Sequence, residues 1–135
     1  MAKLNIIVAT HGRFGEELVK SAEMLMGKTE NVYILSLLPG KSFDTFYKES
    51  NEIFSRIEGP TIALVDIFGG TPSNVLTALT KKFSHKVLTG LNLPLFIDLY
   101  MKASMAKNID LDQLITECKE TYTESLVLTN ERLKN

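Results

Sequence analysis

The fold of this chain is decided by the stretch Leu4-Asn5-Ile6-Ile7-Val8-Ala9-Thr10-His11-Gly12. Its mostly apolar first part is typical of a buried strand, and a helix-period pattern begins within a few residues of its end. His11 therefore stands at the carboxyl end of a strand, which is where α/β proteins place their ligands. Judged by its position alone, His11 fits either a catalytic histidine or a polar loop residue.

Strand-like and helix-like segments alternate along the rest of the chain. Short apolar runs predict further strands in residues 31–38, 61–66 and 86–91, and apolar residues at helical spacing predict helices between and after them. Thr71 and Pro72 are predicted as the N-cap and first residue of the third helix. This alternation predicts a three-layer, doubly wound α/β fold with a four-stranded, mainly parallel sheet, for which we expect the order 2-1-3-4.

The composition favours a single domain over residues 1–135. The formal net charge of −1 gives no electrostatic case for binding nucleic acid or an anionic membrane. The lone cysteine, Cys118, cannot form an intramolecular disulfide or build a zinc site alone. The amino terminus lacks a signal-peptide pattern, and no apolar segment approaches the length of a membrane span. We therefore expect a cytoplasmic protein.

Two polar residues close apolar strands that the predicted order makes neighbours. They are His11 after the first strand and Asp66 after the third. A carboxylate that accepts a hydrogen bond from one imidazole nitrogen sets the tautomer and leaves the other nitrogen free as a nucleophile. The pattern therefore predicts that His11 and Asp66 form a catalytic pair.

The turns beside this pair have the composition of an anion site. Gly69 and Gly70 lead into a helix whose first N–H groups suit a phosphate, and Thr71 and Ser73 add hydroxyls. Gly12 begins the first helix in a similar way. A nitrogen nucleophile beside such a cradle suits phosphoryl transfer through phosphohistidine. We predict Gly12, Gly70, Thr71 and Ser73 as phosphate-binding residues, with no metal or other cofactor.

Several of these signals also have an ordinary structural explanation. Asp66 alone is more often a turn or cap residue. His85 lies at the start of the fourth strand, on the opposite rim of the sheet, and is interpreted as a surface histidine. Arg13 fits a residue that steers a phosphate or an acidic partner, and it fits a solvated charge equally well. Residues 125–129 fit either an extension of the last helix or a short fifth strand.

At these residues the chain resembles enzyme IIA of the mannose class in the bacterial phosphoenolpyruvate:sugar phosphotransferase system. The resemblance covers nearly the whole length and rests on IVATHG (7–12), SAEM (21–24), VDIFGGTPSN (65–74) and GLNLP (90–94). It implies a phosphotransferase in which His11 accepts a phosphoryl group from the phosphocarrier HPr and passes it to a IIB component. It implies that Asp66 orients and polarises His11. Many relatives have serine at the position of Thr71.

The resemblance also implies a fifth, antiparallel strand that two subunits of a homodimer exchange, which residues 125–129 would supply. We further expect IIB to be a separate protein, and the membrane components IIC and IID to choose the sugar and to act on this subunit only indirectly. Two alternatives stay open. One is the phosphoryl donor subunit of a phosphoenolpyruvate-dependent dihydroxyacetone kinase, whose members tend to have serine where Gly12 stands. The other is a non-catalytic sugar-supply sensor of the same fold.

Overall fold

A computed structural model describes residues 3–133 of the chain, in which strands and helices alternate. The strands are β1 (Asn5–His11), β2 (Val32–Leu37), β3 (Thr61–Val65) and β4 (Lys86–Thr89). The α-helices are α1 (Phe14–Met26), α2 (Phe43–Arg56), α3 (Gly70–Ala78), α4 (Leu93–Met105) and α5 (Leu111–Glu124). Two 3₁₀ helices occupy Leu79–Lys81 and Thr129–Leu133.

The sheet has the strand order β2-β1-β3-β4, and each neighbouring pair is parallel. Side chains of β1 alternate between its faces: Ile6 and Val8 pack with α1, α4 and α5, while Ile7 and Ala9 pack with α2 and α3. Helices therefore cover both faces of the sheet. The predicted fold class, three layers around a four-stranded parallel sheet in the order 2-1-3-4, is confirmed.

Capping chemistry explains where most helices begin. The side chains of Ser42, Asn92 and Asp110 each accept a hydrogen bond from the backbone N–H three residues later. Helix α3 begins differently, because it starts at Gly70 with Gly69 as its N-cap. Both glycines have positive φ, so the backbone alone makes this turn. The prediction of Thr71 as the N-cap was wrong by two residues.

The connection from β1 to α1 is held by a close contact beneath it. The N–H of Gly15 donates to the hydroxyl of Thr10 across 2.9 Å. A Cβ added to Gly15 would lie 2.7 Å from Cγ1 of Val8, so only glycine lets the first turn of α1 lie this close to the strand. The residues between Thr10 and Gly15, which include His11, are thereby held between the end of β1 and the first turn of α1.

The carboxyl-terminal segment forms no strand in this single chain. Helix α5 ends at Glu124, and Thr129 begins a 3₁₀ helix, so the predicted fifth strand in residues 125–129 is absent from the described structure. The side chain of Leu126 is 92% exposed, and Val127 and Leu128 are also exposed. A strand needs a neighbouring strand to pair its backbone groups, and within residues 3–133 this segment pairs with none.

His85 is buried, so its interpretation as a surface histidine was wrong. It is 5% exposed, and its ring centroid lies 4.1 Å from that of Phe54 in α2. Its Nε2 lies 2.8 Å from the carbonyl oxygen of Leu76 in α3. The prediction that His85 lies just before β4 is confirmed. The residue is nevertheless buried, because α2 and α3 pack over it.

Three further features bear on the class of protein. No helix within residues 3–133 combines the length and apolar character needed to cross a bilayer. Within the same residues, no three or more His, Cys, Asp and Glu side chains are grouped so that they could hold a metal ion. Cys118 is buried in α5, and burial, with a smaller effect of Asp98, raises the pKa of its thiol to about 11. The thiol is therefore neutral and unreactive near pH 7.

Candidate active site

His11 and Asp66 lie together at the carboxyl rim of the sheet. His11 ends β1, Asp66 follows β3, and the two strands are neighbours. The Nδ1 atom of His11 lies 2.9 Å from Oδ2 of Asp66, and the backbone N–H of His11 donates to the same oxygen across 2.9 Å. The predicted proximity of these two residues is confirmed.

Several donors hold the carboxylate of Asp66 in place. Besides the two contacts from His11 to Oδ2, the backbone N–H of Ile67 donates to Oδ1 across 3.0 Å. The side chain of Asp66 is largely shielded from solvent. A carboxylate with donors on both oxygens is fixed in orientation, and it presents a negative charge to one edge of the imidazole.

This geometry determines the tautomer of a neutral His11. An ionised carboxylate only accepts hydrogen bonds, so Nδ1 must carry the hydrogen and Nε2 must carry the lone pair. The side chain of His11 is 49% exposed, and the ring is therefore open to an approaching group. A partly exposed, oriented imidazole nitrogen with a free lone pair can act as a nucleophile.

The backbone of Gly70 lies against the edge of the imidazole that carries Nε2. A Cβ added there would come within 3.0 Å of Cε1 and 3.2 Å of Nε2 of His11. Gly69 has a similar positive φ but open space around its missing side chain. The two glycines therefore make the same turn, and Gly70 alone keeps a side chain away from the nucleophile.

The other predicted phosphate-binding residues differ in their placement. Thr71 follows Gly70 in the first turn of α3 and is half-buried, whereas Ser73 in the same turn is buried. The N–H of Gly12 donates to the carbonyl of Leu37 across 2.8 Å, so β2 already uses it. Of the predicted phosphate-binding residues, Gly70 at the start of α3 thus lies beside His11. The N–H of Gly12 is already bonded, so the geometry does not support direct phosphate binding by it.

Exposed apolar side chains follow both members of the pair, and the sequence pattern alone did not mark them as part of the site. Phe14 begins α1, and Ile67 and Phe68 follow Asp66; all three are exposed, and Phe68 is 86% exposed. Apolar residues in loops at strand ends were the available signal. An apolar group beside a reactive side chain suits contact with another protein.

Two of the four family-like segments have structural roles. Glu23, in the SAEM segment, accepts hydrogen bonds from the N–H and the hydroxyl of Thr29, at 3.0 and 2.9 Å, and these bonds lower the pKa of its carboxyl. It thereby holds the turn after α1. Asn92, in the GLNLP segment, caps α4 by accepting from the N–H of Leu95 across 2.8 Å.

Comparison with known proteins gives one consistent family. Residues 5–117 match the profile of the family described as PTS system fructose IIA component. The chain is 31% identical over 126 residues to the mannose-specific EIIAB component of Escherichia coli K12, with 90% of this chain and 38% of that protein covered. It is 25% identical over 134 residues to the fructose-specific EIIA component of Bacillus subtilis 168, with 97% and 90% covered.

A solved structure agrees with this match. The phosphotransferase system component EIIA from Streptococcus agalactiae superposes with a TM-score of 0.85 at 26% identity, covering 95% of this chain and 98% of that one. The chain spans 38% of the length of the Escherichia coli relative, and nearly all of the Bacillus subtilis and Streptococcus agalactiae relatives.

Proposed function

We propose a function from the premise that this chain belongs to the mannose-class enzyme IIA family of the bacterial phosphoenolpyruvate:sugar phosphotransferase system, whose profile matches residues 5–117. The proposed protein is a phosphocarrier in sugar uptake. His11 receives a phosphoryl group from phospho-HPr and passes it to a IIB component. The single observation that carries this proposal is the 2.9 Å contact between Nδ1 of His11 and Asp66, because it leaves Nε2 as the nucleophile.

In the proposed first transfer, the lone pair on Nε2 of His11 attacks the phosphorus atom of phospho-HPr. The Nε2–P bond forms as the bond between phosphorus and the donor group of HPr breaks, and the electron pair of that bond stays with the donor group. The hydrogen on Nδ1 stays in place. The phosphorylated ring gains positive charge, which the carboxylate of Asp66 stabilises at 2.9 Å. Transfer to IIB reverses these steps with a new acceptor.

The start of α3 supplies the proposed phosphate cradle. Gly70 lies against Nε2, and Thr71 next to it adds a hydroxyl. The amino end of a helix carries unpaired N–H groups and a partial positive charge, both of which favour phosphoryl oxygens. Phosphoryl transfer depends mainly on such positioning and charge. Ser73 lies buried in the same turn, and the N–H of Gly12 is engaged by the carbonyl of Leu37, so the proposed cradle rests on Gly70 and Thr71.

The exposed apolar residues beside His11 are the proposed docking surface for both protein partners. Phe14, Ile67 and Phe68 flank the site. HPr must bring its phosphorylated group to Nε2 of His11, and IIB must later bring its own acceptor group to the same place. The partners would therefore use this surface in turn. The membrane components IIC and IID enter only through IIB, and a cytoplasmic location is part of this proposal.

The proposed assembly is a homodimer with exchanged carboxyl-terminal segments. The tail leaves α5 beside β4, since the hydroxyl of Tyr122 donates to the carbonyl of Gly90 across 2.7 Å. β4 is an edge strand of the described sheet, and the exposed residues 126–128 are apolar. Light scattering tests this: the wild-type mass should be that of a dimer, and Leu126→Ser with Leu128→Ser should give a monomer. A wild-type monomer would end this part of the proposal.

Labelling with phosphoenolpyruvate, enzyme I and HPr tests the activity itself. Wild type and His85→Gln should take up one phosphoryl group per chain, and His11→Gln should stay at background because it lacks the nucleophile. Circular dichroism confirms that each variant is folded. Labelling of His11→Gln at the wild-type level would contradict the proposal. A folded wild type that takes up no label would favour the sensor alternative.

A further inference from the structure

An arginine lies two residues after His11 in a weak and exposed ion pair. Arg13 is the N-cap residue of α1, and its side chain is 65% exposed. Its Nη1 atom lies 3.3 Å from both carboxylate oxygens of Glu16, so one nitrogen makes two long contacts and no parallel fork forms. Exposed pairs of this kind contribute little and break easily.

Glu16 has a stronger partner that does not depend on Arg13. The hydroxyl of Ser36 in β2 donates to Oε2 of Glu16 across 2.7 Å. This hydrogen bond is the largest cause that lowers the pKa of the Glu16 carboxyl; burial opposes it, and the charge of Arg13 adds a smaller effect. Glu16 therefore stays ionised and hydrogen-bonded if Arg13 leaves.

Once phosphorylated, the site needs a further cation that His11 and Asp66 do not supply. Phosphorylation would place a dianion next to the carboxylate of Asp66, and the positive ring offsets only part of this charge. The Cα atom of Arg13 is at most about 7 Å from that of His11, because only Gly12 stands between them in the chain. A guanidinium binds two phosphoryl oxygens at once through its planar fork.

We propose that Arg13 is a phosphoryl-binding residue that rests on Glu16 and moves to the phosphoryl oxygens when His11 is phosphorylated. Ser36 keeps Glu16 in place during the exchange. Since this role rests on the proposed phosphorylation of His11, the test must separate the two. Arg13 then stabilises the phosphorylated carrier and marks it by a changed charge pattern at the start of α1.

Chemical phosphorylation with phosphoramidate allows the test without a protein donor. Its P–N bond breaks, the Nε2–P bond forms, and ammonia leaves with the electron pair. The readout is the pH midpoint of the phosphoryl ³¹P signal in the isolated protein. A neighbouring guanidinium favours the dianion, so Arg13→Gln should raise the midpoint by about half a pH unit, a threefold weaker acid.

Two variants serve as controls. Lys20→Gln removes another exposed cation of α1, one that pairs with Glu17 at 3.0 Å, and should leave the midpoint unchanged. Glu16→Gln removes the resting partner of Arg13 and should leave the midpoint at or below that of wild type. Equal midpoints for wild type and Arg13→Gln would overturn the role of Arg13. Equal shifts in Arg13→Gln and Lys20→Gln would also overturn it, since they would reflect overall charge.

The same protein samples distinguish the failure of this role from failure of the proposed function. If phosphoramidate labels His11 but phospho-HPr does not, the carrier function fails and the ³¹P comparison still decides the role of Arg13. If both donors label His11 and the midpoints are equal, only the role of Arg13 fails. If neither donor labels folded wild type, both are contradicted.

Discussion

The two histidines of this protein lie at opposite rims of one sheet and use opposite ring nitrogens. His11, at the carboxyl end of β1, donates from Nδ1 to the carboxylate of Asp66 across 2.9 Å. His85, just before β4, donates from Nε2 to the carbonyl oxygen of Leu76 across 2.8 Å. Both acceptors lack a proton, so in each neutral ring the bonded nitrogen carries the hydrogen.

The difference lies in what surrounds the remaining nitrogen. Nε2 of His11 lies on a half-exposed ring against the backbone of Gly70. Nδ1 of His85 is buried, packs near the ring of Phe54 and has no hydrogen-bond partner among residues 3–133. A hydrogen bond sets the tautomer of both residues, but only His11 combines a free lone pair with access and with a charge on the bonded side.

The largest predicted effect comes from removing that charge. Asp66→Asn keeps an oxygen that can accept from Nδ1 but cannot offset the positive ring that transfer creates. We expect phosphoryl uptake from phospho-HPr to slow about 100-fold, the usual effect of losing one electrostatic stabiliser. Rapid-quench labelling measures the rate.

Asp98→Asn is the matched control for this change. Asp98 is a largely buried carboxylate on α4 that accepts from Lys102 of the same helix, at 2.6 and 2.7 Å, rather than from a histidine. Its loss should leave the transfer rate within twofold of wild type. If Asp66→Asn also stayed within twofold, the carboxylate would have no part in transfer, and the contrast between the two histidines would lose its explanation.

The next effect tests access to Nε2. Gly70→Ala would place a methyl group within 3.0 Å of Cε1 of His11, and we expect transfer to slow about 10-fold by displacement of the ring or the loop. Gly69→Ala has a similar positive φ without the crowding. Each should lose about 1–3 kcal/mol of unfolding free energy, measured in urea. Equal transfer rates in the two variants would show that Gly70 serves only the turn.

The smallest effect concerns stability at the opposite rim. Burial lowers the pKa of His85 from the ordinary 6.5, with the Leu76 carbonyl as a smaller, opposing cause. Above pH 6.5 the ring is neutral in both the folded and the unfolded chain, and no stability is lost. Below pH 6.5 the unfolded chain binds a proton first, so the free energy of unfolding falls by at most about 1.4 kcal/mol per pH unit until the folded pKa is reached.

His85→Gln isolates this contribution. Glutamine does not titrate, and its amide can donate to the Leu76 carbonyl in place of Nε2. Urea unfolding at pH 7.5 and 5.5 should show a smaller loss of stability in the variant than in wild type. Equal losses would mean that His85 does not resist protonation in the folded protein.

The sequence predicted the features that depend on local pattern and on topology. Alternating strand and helix patterns predict a doubly wound parallel sheet, and the expected order 2-1-3-4 of such a sheet brings His11 to Asp66. The contact of Gly70 with the imidazole was not predictable, because it depends on the path of two successive residues with positive φ. Thr71 and Pro72 have the residue types of an N-cap and a first helical residue, but α3 begins at Gly70, with Gly69 as its N-cap.

Longer-range packing explains the other differences. His85 is buried because Phe54 and Leu76, from two separate helices, close over it, and no pattern next to His85 reports that. The pattern of residues 125–129 fits either a helix extension or a strand, and in the described structure the segment pairs with no strand of its own chain. The sequence alone also left two roles open for Arg13, a phosphate-steering residue and a solvated charge.

The position of phosphorus on the His11 ring tests the central claim most directly. Protein labelled with ¹⁵N-histidine and phosphorylated by phospho-HPr can be examined by ¹⁵N and ³¹P NMR, which distinguish the two ring nitrogens. The contact of Nδ1 with Asp66 predicts phosphorus on Nε2 of His11, with a hydrogen still on Nδ1. Phosphorus on Nδ1, or on any other residue, would contradict it.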